Sequence, residues 1–140
     1  MGLTNFPNGI SSFGIPVFGT VPAPVITSYQ DNSAVPSVSI QVTASSAGII
    51  QYADVYYSAY SSPTDSQLIF AGTSSIQPSG NPYLPNAILP LITVTNLPAG
   101  NWYFFTKMVN SFGKSNLSPA SAVFNWRPLT FQYSNRYVSI

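Results

Sequence analysis

The stretch Leu97–Ser118, LPAGNWYFFTKMVNSFGKSNLS, constrains this chain more than any other. Leu97-Pro98-Ala99-Gly100 is turn chemistry, because proline fixes φ and glycine supplies a conformation that other residues resist. Trp102 to Val109 is rich in aromatic and β-branched residues, the composition that suits a half-buried pleated surface. Asn110-Ser111-Phe112-Gly113 then punctuates, since Asn and Gly both tolerate left-handed backbone. The stretch reads as the end of one strand, a corner, a long aromatic strand, a hairpin and the start of another strand. Two alternations are open in the long strand: Trp102/Phe104/Thr106/Met108 inward, or Tyr103/Phe105/Lys107/Val109 inward. Lys107, a poor core residue, favours the first.

The remainder of the chain is built of similar short pieces. Ser37–Ala44 alternates cleanly, with Val38, Ile40, Val42 and Ala44 on one face and Ser37, Ser39, Gln41 and Thr43 on the other, a strand with one wet face. Val25–Tyr29, Ile49–Tyr60, Gln67–Ala71, Leu91–Thr95 and Ala120–Trp126 read as further strands, with a Pro/Ser/Gly/Asn loop over 73–86. Strands at intervals of roughly ten residues, separated by turn signals, specify an all-β fold. No amphipathic stretch of helical length interrupts them. The 140 residues fit one domain. We therefore expect a single antiparallel β-sandwich over residues 23–126, either immunoglobulin-like or a jelly roll.

Leu97, Gly100, Tyr103, Asn110, Gly113 and Ser118 resemble the corner, strand and hairpin of fibronectin type III-like and related immunoglobulin-like sandwiches, and Ile49–Tyr60 resembles the C strand of the same family. The resemblance implies that the Tyr103 hydroxyl bonds back to the corner backbone. One departure is plain: Tyr103 to Asn110 is one residue shorter than the family spacing. Either a bulge shifts the register, or Trp102 takes the core position.

Both ends read as arms. Residues 1–22 hold four Gly and three Pro with Phe6, Phe13 and Phe18 between them, and neither a helical nor a strand period fits. A flexible linker would lack such apolar anchors. The reading is an arm that orders when Leu3, Phe6, Ile10, Phe13, Ile15, Val17 and Phe18 dock on another surface; a loop folded back on its own domain is the alternative. Residues 127–140 form either a second arm, with Phe131, Tyr133 and Tyr137 as its contacts, or an eighth strand. Leu3–Val17, LTNFPNGISSFGIPV, resembles the opening of small virion proteins of tailed bacteriophages, among them capsid decoration, cement and head-fibre proteins. That resemblance implies a virion structural protein made in the host cytoplasm and placed on the outer surface of the capsid. Its partners would be the major capsid protein and neighbouring copies of itself.

Composition bears on function through charge. Charged residues make up 5% of the chain, against roughly 25% in ordinary soluble domains. They are Asp31, Asp54, Asp65, Lys107, Lys114, Arg127 and Arg136, with no Glu and no His. Such a surface is expected to be Ser, Thr, Asn, Gln and Tyr, and to be covered by a partner. The net charge of +1 is too small to argue for nucleic acid or an anionic membrane. Apolar runs fall far short of the roughly 20 residues of a membrane span, and the N-terminus lacks the pattern of a secretory signal.

Chemistry is sparse. No Cys is present, and a serine nucleophile has no His to take its proton. Asp31 and Asp65 fall at turns, and Asp54 reads as an outward charge on a strand. Gly113-Lys114-Ser115 lacks the upstream glycine of a phosphate loop. Asn116-Leu117-Ser118 matches a glycosylation sequon but is followed by Pro119. No enzyme, cofactor or metal site is expected. Tyr56, Tyr57 and Tyr60 carry the alternative function, a carbohydrate- or receptor-binding adhesin module of a virion surface or tail fibre, since exposed tyrosines stack on sugars and anchor interfaces.

Overall fold

In the computed structural model, which describes residues 18–31 and 33–127, the Trp102–Val109 stretch lies within the longest strand. Among the described residues eight strands run in chain order: β1 (Val25–Gln30), β2 (Ser37–Gln41), β3 (Tyr52–Ser58), β4 (Ile69–Thr73), β5 (Ile92–Thr95), β6 (Gly100–Asn110), β7 (Gly113–Lys114) and β8 (Phe124–Trp126). They form two antiparallel sheets, β1-β2-β5 and β4-β3-β6-β7, with β8 also paired to β6. Both sheets contribute to one hydrophobic core, the arrangement of an antiparallel β-sandwich. A 3₁₀ turn, Asp65–Gln67, precedes β4, held by the Thr64 amide donating to Gln67 Oε1 at 3.0 Å.

The core follows from the two-residue period. Val38, Ile40, Val42 and Ala44 are fully buried, so the alternation read over Ser37–Ala44 persists past the end of β2, where Thr43 bridges to Ile88. Ile92 and Val94 extend that face on β5, and Ala53, Val55, Phe104 and Met108 meet it from the other sheet in one contiguous cluster. Trp102 packs against the same cluster, which settles the register: Trp102/Phe104/Thr106/Met108 faces inward. Thr106 is tolerated there because its hydroxyl donates to the Asp54 carbonyl at 2.9 Å.

The corner differs from its sequence expectation. Tyr103 lies on the opposite face, across from Ser58. The corner carbonyls are bound by two indoles: Trp102 Nε1 donates to Pro98 O, and Trp126 Nε1 to Leu97 O, each at 2.8 Å. Counted from Trp102 rather than Tyr103, the spacing to Asn110 is one residue longer, which removes the departure noted above. Asn110 closes the hairpin, donating to Ile49 O and accepting from the Phe112 amide.

Ala120–Trp126 is a strand only in its last three residues. Upstream, the chain runs beside β6 in steps of three while β6 steps by two. The amides of Ser115, Ser118 and Ser121 donate to the carbonyls of Met108, Thr106 and Phe104, each at 2.9 Å. Each serine Oγ accepts the amide of the same β6 residue, at 2.8–3.0 Å, and donates to the carbonyl that follows it in the chain. One hydroxyl thus does the work of a missing ladder carbonyl, and all three serines are buried.

Residues before Ala23 also belong to the sandwich. Phe18 is 6% exposed within the core, and Phe18 O and Thr20 O accept the amides of Ala47 and Ser46. Phe18 is therefore a core residue and not an arm contact, because its ring is already enclosed by its own domain. Gly19 makes this strap possible: it adopts φ +65, and a Cβ there would collide with Ser46 Oγ.

Candidate partner-binding surface

Of the residues read as partner contacts, Leu3, Phe6, Ile10, Phe13, Ile15, Val17, Phe131, Tyr133 and Tyr137 lie outside the described residues, as do the two arms proper. The three tyrosines read as a stacking group are described, and they are separated. Tyr57 turns inward, its ring 4.9 Å from Trp102 in an edge-on contact. Tyr56 turns outward, and Tyr60 is exposed in the loop after β3. The pleat dictates this split, since neighbours on a strand point to opposite faces.

The outer face of the larger sheet brings together Asp54, Lys107 and Lys114, three of the chain's seven charged residues. Asp54, central on β3, has a side chain only 7% exposed. Lys114 Nζ lies 2.9 Å from its Oδ2, and Thr73 Oγ1 donates to its Oδ1 at 2.8 Å. Tyr56 OH makes a longer contact to Oδ2 at 3.5 Å. The carboxylate so joins β4, β3 and β7. Its hydrogen bond and charge raise the Lys114 pKa above the usual lysine value. Burial, then the Asp54 charge, pushes the Tyr56 phenol up as well. Lys107 sits 5.7 Å over the Tyr56 ring, and Phe70 on β4 meets that ring edge-on at 5.8 Å. The strand position of Asp54 was legible in sequence, but its partners on β4 and β7 were not. The charge read as outward does lie on the outer face, where Lys114, Thr73 and Tyr56 enclose it.

Several large apolar side chains are exposed among the polar ones. Phe70, Leu84, Ile88 and Leu91 are all more than half exposed, and Phe112 stands at the tip of the β6–β7 hairpin. Ile88 and Leu84 belong to the long loop before β5, which pairs with the extension of β2 through the Ala44 amide on Ala87 O and the Leu89 amide on Val42 O. The loop is thus fixed in place while its apolar side chains point outward. Next to it, Gly48, Ile49, Pro82, Tyr83, Leu84 and Pro85 line an open depression of about 360 Å³. Sequence reading treated 73–86 as a plain loop; the signal passed over is Leu84, Ile88 and Leu91, three large apolar residues among prolines. No group of acidic, His or Cys side chains suited to a metal exists among the described residues, and no helix there is long and apolar enough to cross a membrane.

No protein-family model matches the chain, and no curated protein matches it. Among solved structures it is similar to the β-glucosidase of Kluyveromyces marxianus in complex with glucose, at 14% identity and a TM-score of 0.38. That match covers 85% of this chain and 16% of the yeast enzyme's.

Proposed function

We propose that this chain is a non-enzymatic virion structural protein that decorates and cements the capsid of a tailed bacteriophage, bound to the major capsid protein on the outer surface beside copies of itself. The observation that carries the reading is the surface. Among the described residues, Asp54 and Lys114 neutralise each other, which leaves Asp31, Asp65, Lys107 and Arg127 to keep a surface that exposes Phe70, Leu84, Ile88 and Leu91 in solution. Exposed large apolar side chains on so weakly charged a surface favour contact with a partner, and a shell offers one. Each aromatic or aliphatic side chain covered by a partner adds about 2 kcal/mol of transfer free energy, less the cost of ordering it. Many copies on one shell multiply a modest contact. The adhesin alternative draws less support, because Tyr56, Tyr57 and Tyr60 do not share a platform.

The test is co-sedimentation of the purified chain with empty phage heads, comparing full length with a chain that lacks residues 1–17. The boundary is 17 and not 22 because Phe18 and Val21 pack on the core and Thr20 O accepts the Ser46 amide. Saturable binding by the full chain, weakened at least tenfold by the truncation, is expected. Absence of saturable binding by the full chain overturns the proposal.

A further inference from the structure

We propose that the depression between Gly48-Ile49 and Pro82–Pro85 is the receptor for Phe13–Val17 of the same chain, so that the N-terminal segment divides into a part docked on its own domain and a part left to grip. The proposal concerns the chain by itself and stands or falls apart from the capsid reading.

Three observations converge on it. The first is direction. The Ser46 amide bonds Thr20 O and the Ala47 amide bonds Phe18 O, so a step back along the N-terminal segment is a step forward along 46–47. The next residues forward are Gly48 and Ile49, one wall of the depression. The strap therefore delivers the chain at residue 18 to the rim of this site. Five further residues extend at most about 17 Å, enough to reach across it.

The second is the firmness of the opposite wall. Tyr83 is buried, its amide donates to Ile50 O at 2.7 Å and its hydroxyl to Ser75 O at 2.5 Å. A depression framed by backbone bonds on both sides is preformed, as binding sites commonly are, and its volume falls in the range of about 300–1,000 Å³ of small-ligand pockets.

The third is chemical match. The lining has no charged side chain: two prolines, a tyrosine ring, Leu84, Ile49 and a glycine. Phe13-Gly14-Ile15-Pro16-Val17 is likewise uncharged, with three large apolar side chains and a proline that restricts the preceding residue to extended backbone. Attachment at Phe18 gives this segment a far higher effective concentration than any free competitor. Leu84, 74% exposed at the edge of the site, is the residue whose environment changes most when it fills.

The chain has no cysteine, so paired substitutions report cleanly. Ile15→Cys with Leu84→Cys, and separately Ile15→Cys with Pro85→Cys, are made in the full chain and oxidised under mild conditions. Ile15→Cys with Val123→Cys, an exposed position outside the lining, serves as the background. The expected result is a crosslinked monomer in either depression pair, at several-fold the background yield. A crosslinked dimer in those pairs overturns the proposal by making a second copy the occupant. Crosslinking no better than background in both pairs overturns it by leaving the site without this segment.

Discussion

Replacing Ser118 by Ala tests the three-against-two ladder at its centre. In the native chain the Ser118 hydroxyl accepts the Thr106 amide at 3.0 Å and donates to Pro119 O at 2.9 Å. The Ser118 amide bond to Thr106 O uses backbone alone and survives the substitution. What is lost is the partner of one amide on β6, beside a fully buried Thr106. An unsatisfied buried amide costs about 1–3 kcal/mol. For a domain of this size each kcal/mol moves the midpoint by roughly 4 °C, so Tm is expected to fall by roughly 4–12 °C. Urea unfolding followed by tryptophan fluorescence measures it directly, because Trp126 is buried and Trp102 packs against the core. Ser37→Ala, on the wet face of β2, is the control and is expected to stay within about 0.5 kcal/mol of the parent. If Ser118→Ala unfolds with the control, the hydroxyl does not hold β6 and the ladder described above is wrong.

Four other outcomes follow from the same geometry. Trp126→Phe removes the donor to the buried Leu97 carbonyl and is expected to cost about 1–3 kcal/mol, whereas Tyr103→Phe stays within about 0.5 kcal/mol; the reverse order in denaturant titrations would restore the tyrosine corner. Phe18→Ala, in the core, is expected to lower stability by about 3 kcal/mol or more, while Phe6→Ala leaves Tm unchanged and weakens sedimentation with phage heads. Asp54→Ala unties Thr73 and Lys114 together and is expected to cost roughly 1–2 kcal/mol, read from the urea midpoint. Stability is expected to fall at high pH: Tyr56 and Lys114 hold their protons more tightly folded than unfolded, so what they contribute is fully present below the ordinary values of 10.0 and 10.5 and lost as pH rises through the folded ones. Urea midpoints between pH 8 and 11 check this, and Lys114→Met should flatten the decline.

The sandwich was legible where one physical rule decided the outcome. Val38, Ile40, Val42 and Ala44 sit at a strict period of two, and all four are fully buried; no competing reading of that stretch exists. Lys107 decided the face of β6 for a similar reason, since its ammonium stays outside over Tyr56. The corner was misread because Trp102 and Tyr103 are adjacent aromatics with a polar tip each, and either can reach a carbonyl. Local sequence does not rank them; the register of β6 against β3 does, and that is a long-range fact. Phe18 was misassigned for the same kind of reason. Composition around it is Gly- and Pro-rich, but its burial is fixed by Ser46 and Ala47, far along the chain.

The serine ladder and the Asp54 cluster share a logic that bears on the apolar surface. Along β6, buried polar groups are satisfied by serines at a spacing of three, which a search for alternating strands passes over. On the outer face, the buried carboxylate is satisfied by Lys114 and Thr73, and no buried side-chain polar atom among the described residues lacks a partner. Part of the scarce charge of this chain is thus turned toward its own strands. A freely soluble domain would spend its few charges outward, as ordinary surfaces do. Here one of three aspartates and one of four cations are committed to a tie between β3 and β7, while Leu84, Ile88 and Leu91 remain exposed on a loop pinned by backbone bonds. Rigid, apolar and weakly charged, that surface resists collapse onto itself and has little to lose on being covered. On the proposed function, these are conditions that favour a small sandwich fitted into a larger assembly.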